Sequence, residues 1–159
     1  MKHKIITILF VFLLIGCNSN KKAIDKTDEY YFKIADHEIA MGQEAAAVVA
    51  SLGEPIDRYS SPSCAFEGED TVYDFGSYQI TTYLSDGIEK FTGFYLIDGT
   101  VSTKEGIHIG SSYDEMVSIY GNDYVETYGA YTYSRGLTDL SFVIINDEIT
   151  SISYLYAVD

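Results

Sequence analysis

Apolar and polar positions follow the helical period in two stretches of this chain and the strand period through most of the rest. Tyr113, Met116, Val117 and Tyr120 recur at the spacing that lines one face of a helix, with Asp114, Glu115 and Ser118 on the other. Ser111 and Ser112 are candidate N-caps, and the acidic residues three positions on make a capping-box pattern. Gly121 suits the left-handed residue that closes a helix. An earlier stretch carries the same instruction. Ala45, Val48, Val49 and Leu52 hold the four apolar positions, Gly53 is the stop, and Pro55 lies just beyond it. Aligning His37–Gly53 with Glu105–Gly121 pairs Ile39 with Ile107, Gly42 with Gly110, Val49 with Val117 and Gly53 with Gly121. A shared period with a shared stop points to an internal duplication.

Strand chemistry fills the intervals. Tyr30–Ala35 opens it, and Thr71–Phe75, Ser77–Leu84 and Lys90–Ile97 follow the first helix. Tyr124–Tyr128, Ala130–Ser134, Thr138–Ile145 and Glu148–Tyr156 follow the second. These runs are rich in Val, Ile, Thr, Tyr and Phe, as half-buried strands are. Asp86-Gly87 and Asn146-Asp147 sit where the last hairpin of each half must turn. Ile56–Glu69, with Ser60, Ser61, Pro62 and Ser63, reads as the least regular part. The expected fold class is α+β: two tandem repeats, residues 29–99 and 100–159, each a helix packed on an antiparallel sheet in two layers. No Pro/Ser-rich linker separates them, so the halves are expected to pack together and share a sheet.

Strand alternation also sorts the tyrosines, of which there are fifteen against no tryptophan. Ile80, Thr82 and Leu84 share one face, and Gln79, Thr81 and Tyr83 the other. Phe94 and Leu96 oppose Phe91, Tyr95 and Ile97. Tyr83 and Tyr95 are thereby placed on the side of the sheet that the helices leave open, as candidate partner-binding residues. Tyr154 and Tyr156 share parity with Ile152 and are expected near the core or at its margin.

The start of the chain changes the picture of where the protein works. Lys2, His3 and Lys4 precede the apolar run Ile5–Ile15, which is too short to be a comfortable membrane span. Leu14-Ile15-Gly16-Cys17 closes it. The expectation is a signal peptide over residues 1–16, lipidation of Cys17 and a flexible tether over 17–28. Acidic residues outnumber Lys and Arg by 24 to 10, for a net charge of −14. Such a surface repels phosphate backbones, so a nucleic-acid partner is excluded. Membrane association is expected from the lipid on Cys17. Once Cys17 is modified, Cys64 is the single thiol; it makes no intrachain disulfide and is expected as a small buried hydrophobe.

Leu14–Cys17 resembles the bacterial lipobox. PSCAFEGED, VYDFG, TKEGIHIGSSYDEMVSIYG and the closing LSF and NDEITSISYLY segments resemble uncharacterised lipoproteins of Gram-positive bacteria, a likeness that implies no activity. The duplicated helix-plus-sheet unit is remotely similar to β-lactamase inhibitory protein and to small lipoproteins of outer-membrane assembly. That similarity is architectural, and no inhibitor contact residue carries over.

Chemistry-bearing patterns are sparse. His37 and His108 lack ligand-spaced partners, so no metal site is expected. No hydrolase, phosphate-loop or calcium-loop motif occurs, and no cofactor is expected. The leading expectation is a membrane-anchored, extracytoplasmic, non-catalytic binding or scaffolding module whose partner is another envelope protein. The alternatives are a cell-envelope hydrolase using carboxylates and an inhibitor of a secreted enzyme. Buried acids converging in a pocket would favour the hydrolase; an aromatic sheet face would favour binding.

Overall fold

The structure, a computed structural model, describes residues 29–64 and 68–157. The expected signal peptide, the lipidation of Cys17 and the tether fall outside these residues. Along the chain run β1 (Phe32–Ile34), β2 (His37–Ile39), α1 (Ala46–Ser51), β3 (Asp57–Pro62), β4 (Glu69–Asp74), β5 (Tyr78–Ser85) and β6 (Ile88–Leu96). They are followed by α2 (Tyr113–Tyr120), β7 (Val125–Thr127), β8 (Ala130–Arg135), β9 (Thr138–Ile145) and β10 (Glu148–Tyr156). β1 and β2 form a small hairpin, and the other eight strands form one antiparallel sheet in the order β3-β4-β5-β6-β10-β9-β8-β7.

The expected α+β class of two tandem helix-plus-sheet repeats is corrected by this arrangement. Strands take 51% of the described residues and helix only 11%. Besides the small hairpin, the described residues hold one eight-stranded sheet and two helices of six and eight residues. The halves do share a sheet, as the missing linker led one to expect, and the joint lies at β6 and β10. Phe94 of β6 pairs with Tyr154 of β10, and Leu96 with Ile152. Two separate units would each leave one of these strands as an unpaired apolar edge, which is a liability for aggregation.

One row of side chains crosses the sheet and defines its covered face. Tyr73 pairs with Ile80, Ile80 with Phe94, Phe94 with Tyr154, Tyr154 with Leu140 and Leu140 with Tyr133. All six are buried. Val49 of α1, Met116 of α2 and Phe32 and Ile39 of the small hairpin join them in one core cluster. Phe32 stacks on Phe94 at 3.8 Å between ring centres and meets Tyr154 edge-on at 5.6 Å. Burial on this scale is the main source of stability, at roughly 25 cal/mol per Å² of apolar surface removed from water.

The neighbouring row points the other way and is polar: Asp74, Gln79, Tyr95, Ser153, Ser141 and Thr132. Each is half-buried, as on a sheet face without a covering layer.

Local chemistry explains the elements. α2 begins with a complete capping box, in which Ser112 Oγ accepts from the Glu115 amide and Glu115 accepts from the Ser112 amide at 2.8 Å. Gly121 follows α2 with φ of +80°. The β5–β6 and β9–β10 turns put Asp86, Gly87, Asn146 and Asp147 at positive φ, the two-residue hairpin geometry.

Three further expectations are corrected. Residues 57–62, read as irregular, form β3, the sheet edge opposite β7. All six side chains are exposed, so no alternation marked the strand. Phe91 lies in the core with Phe94, not with Tyr95, because a register shift between Thr81 and Thr82 sets Thr82 opposite Phe91 and moves the parity of β6 by one. Cys64 is exposed, since it follows the edge strand instead of entering the covered layer.

Candidate binding groove

Glu89, near the start of β6, holds two elements together. Its carbonyl accepts the Ala45 amide at 2.8 Å, which seats the beginning of α1 directly on the sheet. Its side chain enters the covered layer. There the hydroxyls of Tyr73 from β4 and Thr82 from β5 both donate to Glu89 Oε1, each at 2.6 Å. Thr82 is almost fully buried, at 1% exposure, so its hydroxyl needs the partner that Glu89 supplies.

This network floors an open groove of about 620 Å³ between α1 and β3, lined by Val49, Ala50, Ile56, Arg58, Tyr73 and Glu89 among others. α1 has six residues and no side-chain N-cap, and Ala46 and Ala50 reach only a short way toward β3. The groove stays open because small residues face it. Arg58 lies above Tyr73, its guanidinium carbon 5.0 Å from the ring centre. Burial pushes the Tyr73 hydroxyl up to about 12; the hydrogen bond to Glu89 and its negative charge add to the rise, and Arg58 opposes it. Tyr73 is therefore a donor throughout the neutral range. The one ion pair among the described residues joins Lys104 to Glu105 at 3.5 Å, so no cation is bonded to Glu89.

The arrangement offers an anionic acceptor fixed by two neutral donors, with an aromatic and aliphatic wall. That is equipment for binding, with a polar anchor in a mainly apolar concavity. Among the described residues no three His, Cys, Asp or Glu side chains gather as a metal site would require. His37 Nε2 is hydrogen-bonded to Ser51 Oγ at 2.7 Å, tying β2 to α1, and His108 Nδ1 to Ser111 Oγ at 2.6 Å. No described helix is long and apolar enough to cross a membrane.

Tyr83 and Tyr95 are not brought together. Tyr95 folds across Gly93: a Cβ there would lie 2.7 Å from the ring and would collide with Thr81 Oγ1. Its hydroxyl bonds to Thr81, and burial raises its pKa. A ring laid over a strand glycine in this way is a packing device. Tyr83 pairs across the ladders with Asp70 and Lys90 and borders a smaller cavity of about 190 Å³ with Gly42, Lys90, Leu137 and Tyr156. Glu89 and Thr82 were missed in the sequence. The one available signal was Thr82, a polar residue in phase with Ile80 on the buried face.

No protein-family profile matches the chain, and no curated protein matches it. Among solved structures, the chain is similar to an extracellular protein containing an SCP domain from Bacillus anthracis strain Ames, with 14% sequence identity and a TM-score of 0.45. The match covers 78% of this chain and 47% of that one, so the chain spans about half the length of that structure.

Proposed function

We propose that the protein is a lipid-anchored, extracytoplasmic, non-catalytic binding module, and that the groove between α1 and β3 is where it takes its ligand. The observation that carries the reading is the groove itself: an open concavity of about 620 Å³ whose floor holds a fixed carboxylate with no cationic partner among the described residues. The anchor rests on the sequence, where a basic start, an apolar run and Leu14-Ile15-Gly16-Cys17 stand in lipobox order. Tyr83 and Tyr95, on the open sheet face, belong to a second, weaker candidate surface in the same proposal. Partners under this reading are the membrane, through Cys17, and an envelope component seated in the groove.

The test uses a Cys17→Ala chain, which would stay free of lipid, as bait against envelope extract. Ala50→Trp would fill the groove from the exposed side of α1 without entering the core. Loss of the captured component with Ala50→Trp, and its retention with Tyr83→Ser/Tyr95→Ser, would support the groove. The reverse pattern would move the site to the open face. Fatty-acid labelling that persists in Cys17→Ala would remove the anchor.

A further inference from the structure

Glu89 is a half-buried carboxylate that, unlike the more deeply buried Glu29, lines the open groove. Two donors satisfy it, and both bind the same oxygen, Oε1. No ion pair reaches it from any described residue. Buried charges are ordinarily compensated by a countercharge as well as by hydrogen bonds. The cation in the groove lining, Arg58, is held over the Tyr73 ring instead. The remaining charge in the lining is acidic, from Glu54 and Asp57. The groove therefore carries more negative than positive charge, while its walls at Ala46, Val49 and Ala50 are aliphatic.

We propose that the groove binds a primary ammonium group on an alkyl stem, the chemistry of a lysine side chain, with the ammonium on Glu89 and the stem along α1. This rests on the reading of the groove as the ligand site and names the class of ligand that it takes. Tyr73 and Thr82 hold the carboxylate in one rotamer, so it is ordered before the ligand arrives. An anion would meet Glu54, Asp57 and Glu89 together, and a neutral chain would leave the carboxylate uncompensated.

The experiment is a backbone amide NMR titration of the Cys17→Ala chain. Its probes are n-butylammonium, neutral n-butanol, a lysine capped at both ends, and the same capped lysine acetylated on Nζ. The two ammonium probes are expected to give saturable shifts at Val49, Tyr73 and Glu89, and the two neutral probes none. Glu89→Gln, which keeps the shape and the acceptor for Tyr73 and Thr82, is expected to lose at least tenfold in affinity. Arg58→Gln, at an exposed position, is expected to gain, since a competing positive charge is removed. Either order of affinity between capped lysine and n-butylammonium supports the ammonium site; the tighter one identifies a peptide or a small amine as the source. Equal binding of neutral and charged probes, no saturable shift, or unchanged affinity in Glu89→Gln would overturn it. If Ala50→Trp still abolished capture from envelope extract while the ammonium probes failed, the groove would stand and the ammonium inference would fall.

Discussion

The two ends of the sheet are covered by helices, but the space beneath each is used differently. Under α2, tyrosine rings fill the gap. Tyr113 and Tyr124 join their hydroxyls at 2.7 Å, Tyr120 lies 5.3 Å from Phe142 between ring centres, and Tyr133 donates to the Gly121 carbonyl at 2.7 Å. Under α1, one tyrosine, Tyr73, lies on the floor, and the rest of the gap is open groove. The helices match these roles. α2 is two residues longer and carries a capping box, while α1 lacks a side-chain cap and consists mainly of Ala and Val. One end is closed by packing, and the other is held open by small residues and a carboxylate network. A shared helical pattern in the sequence therefore does not give equivalent sites. What a helix leaves uncovered depends on the size of the residues beneath it.

The comparison breaks most visibly in the helices' apolar contacts. Met116 is fully buried under α2, and Met116→Ala is expected to cost about 2–5 kcal/mol by denaturant unfolding. Val49→Asp would place a carboxylate in the core and cost about 3 kcal/mol. Val117→Asp should cost clearly less, because Val117 is only half-buried. Equal losses at Val49 and Val117 would mean that the two helices pack alike after all.

A second difference is read by alkali. Burial pushes the Tyr133 hydroxyl up to about 12, and it raises Tyr120 and Tyr154 as well. Tyr73 is pushed up to about 12 with help from Glu89. A phenol whose folded pKa exceeds its unfolded value of 10.0 binds its proton more tightly when folded. The stability it contributes is complete below pH 10 and is lost as pH rises toward 12. Melting temperature should therefore fall across this window, and most of the fall should come from the α2 end. Tyr133→Phe is expected to flatten the alkaline fall. It also removes the bond to Gly121, at a neutral-pH cost of about 1 kcal/mol. An alkaline fall that Tyr133→Phe leaves unchanged would show that this phenol is not buried as described.

The smallest effect concerns the caps. Ser112→Ala should cost about 1 kcal/mol, because it opens the capping box of α2. Gly53 and Gly121 both hold positive φ, and a Cβ at either meets nothing within 4 Å. Alanine should cost about 1–3 kcal/mol from backbone conformation alone, and Gly121, with ψ of −165°, stands in a region that is essentially glycine-only. A loss well above this range at either would reveal contacts beyond the backbone conformation.

Much of this architecture was legible because it is written in local chemistry. Ser112, Glu115 and Gly121 bound α2, and Asp86-Gly87 and Asn146-Asp147 turn their hairpins, using only neighbours in the chain. What could not be read depended on distant pairing. β3 has six exposed side chains, so its place in the sheet rests on backbone bonds to β4 that leave no apolar trace. The register shift opposite Thr81 and Thr82 moved Phe91 into the core, which alternation alone cannot foresee. A shared sheet was expected from the missing linker, but its joint, β6 paired with β10, could not be read from either strand alone. The groove was invisible for the same reason. Tyr73, Thr82 and Glu89 lie on three different strands, and Glu89 sits between Ile88 and Lys90 like an ordinary solvated strand residue.

The contrast between a filled end and an open end is tested most directly by mapping where an ammonium probe acts on the whole molecule. In an amide NMR titration of the Cys17→Ala chain with n-butylammonium, the account predicts saturable shifts confined to α1, Tyr73 and Glu89, with Tyr113, Tyr124 and Tyr133 unmoved. Shifts centred on the tyrosines beneath α2, or spread evenly over the acidic surface with no saturation at Glu89, would contradict it.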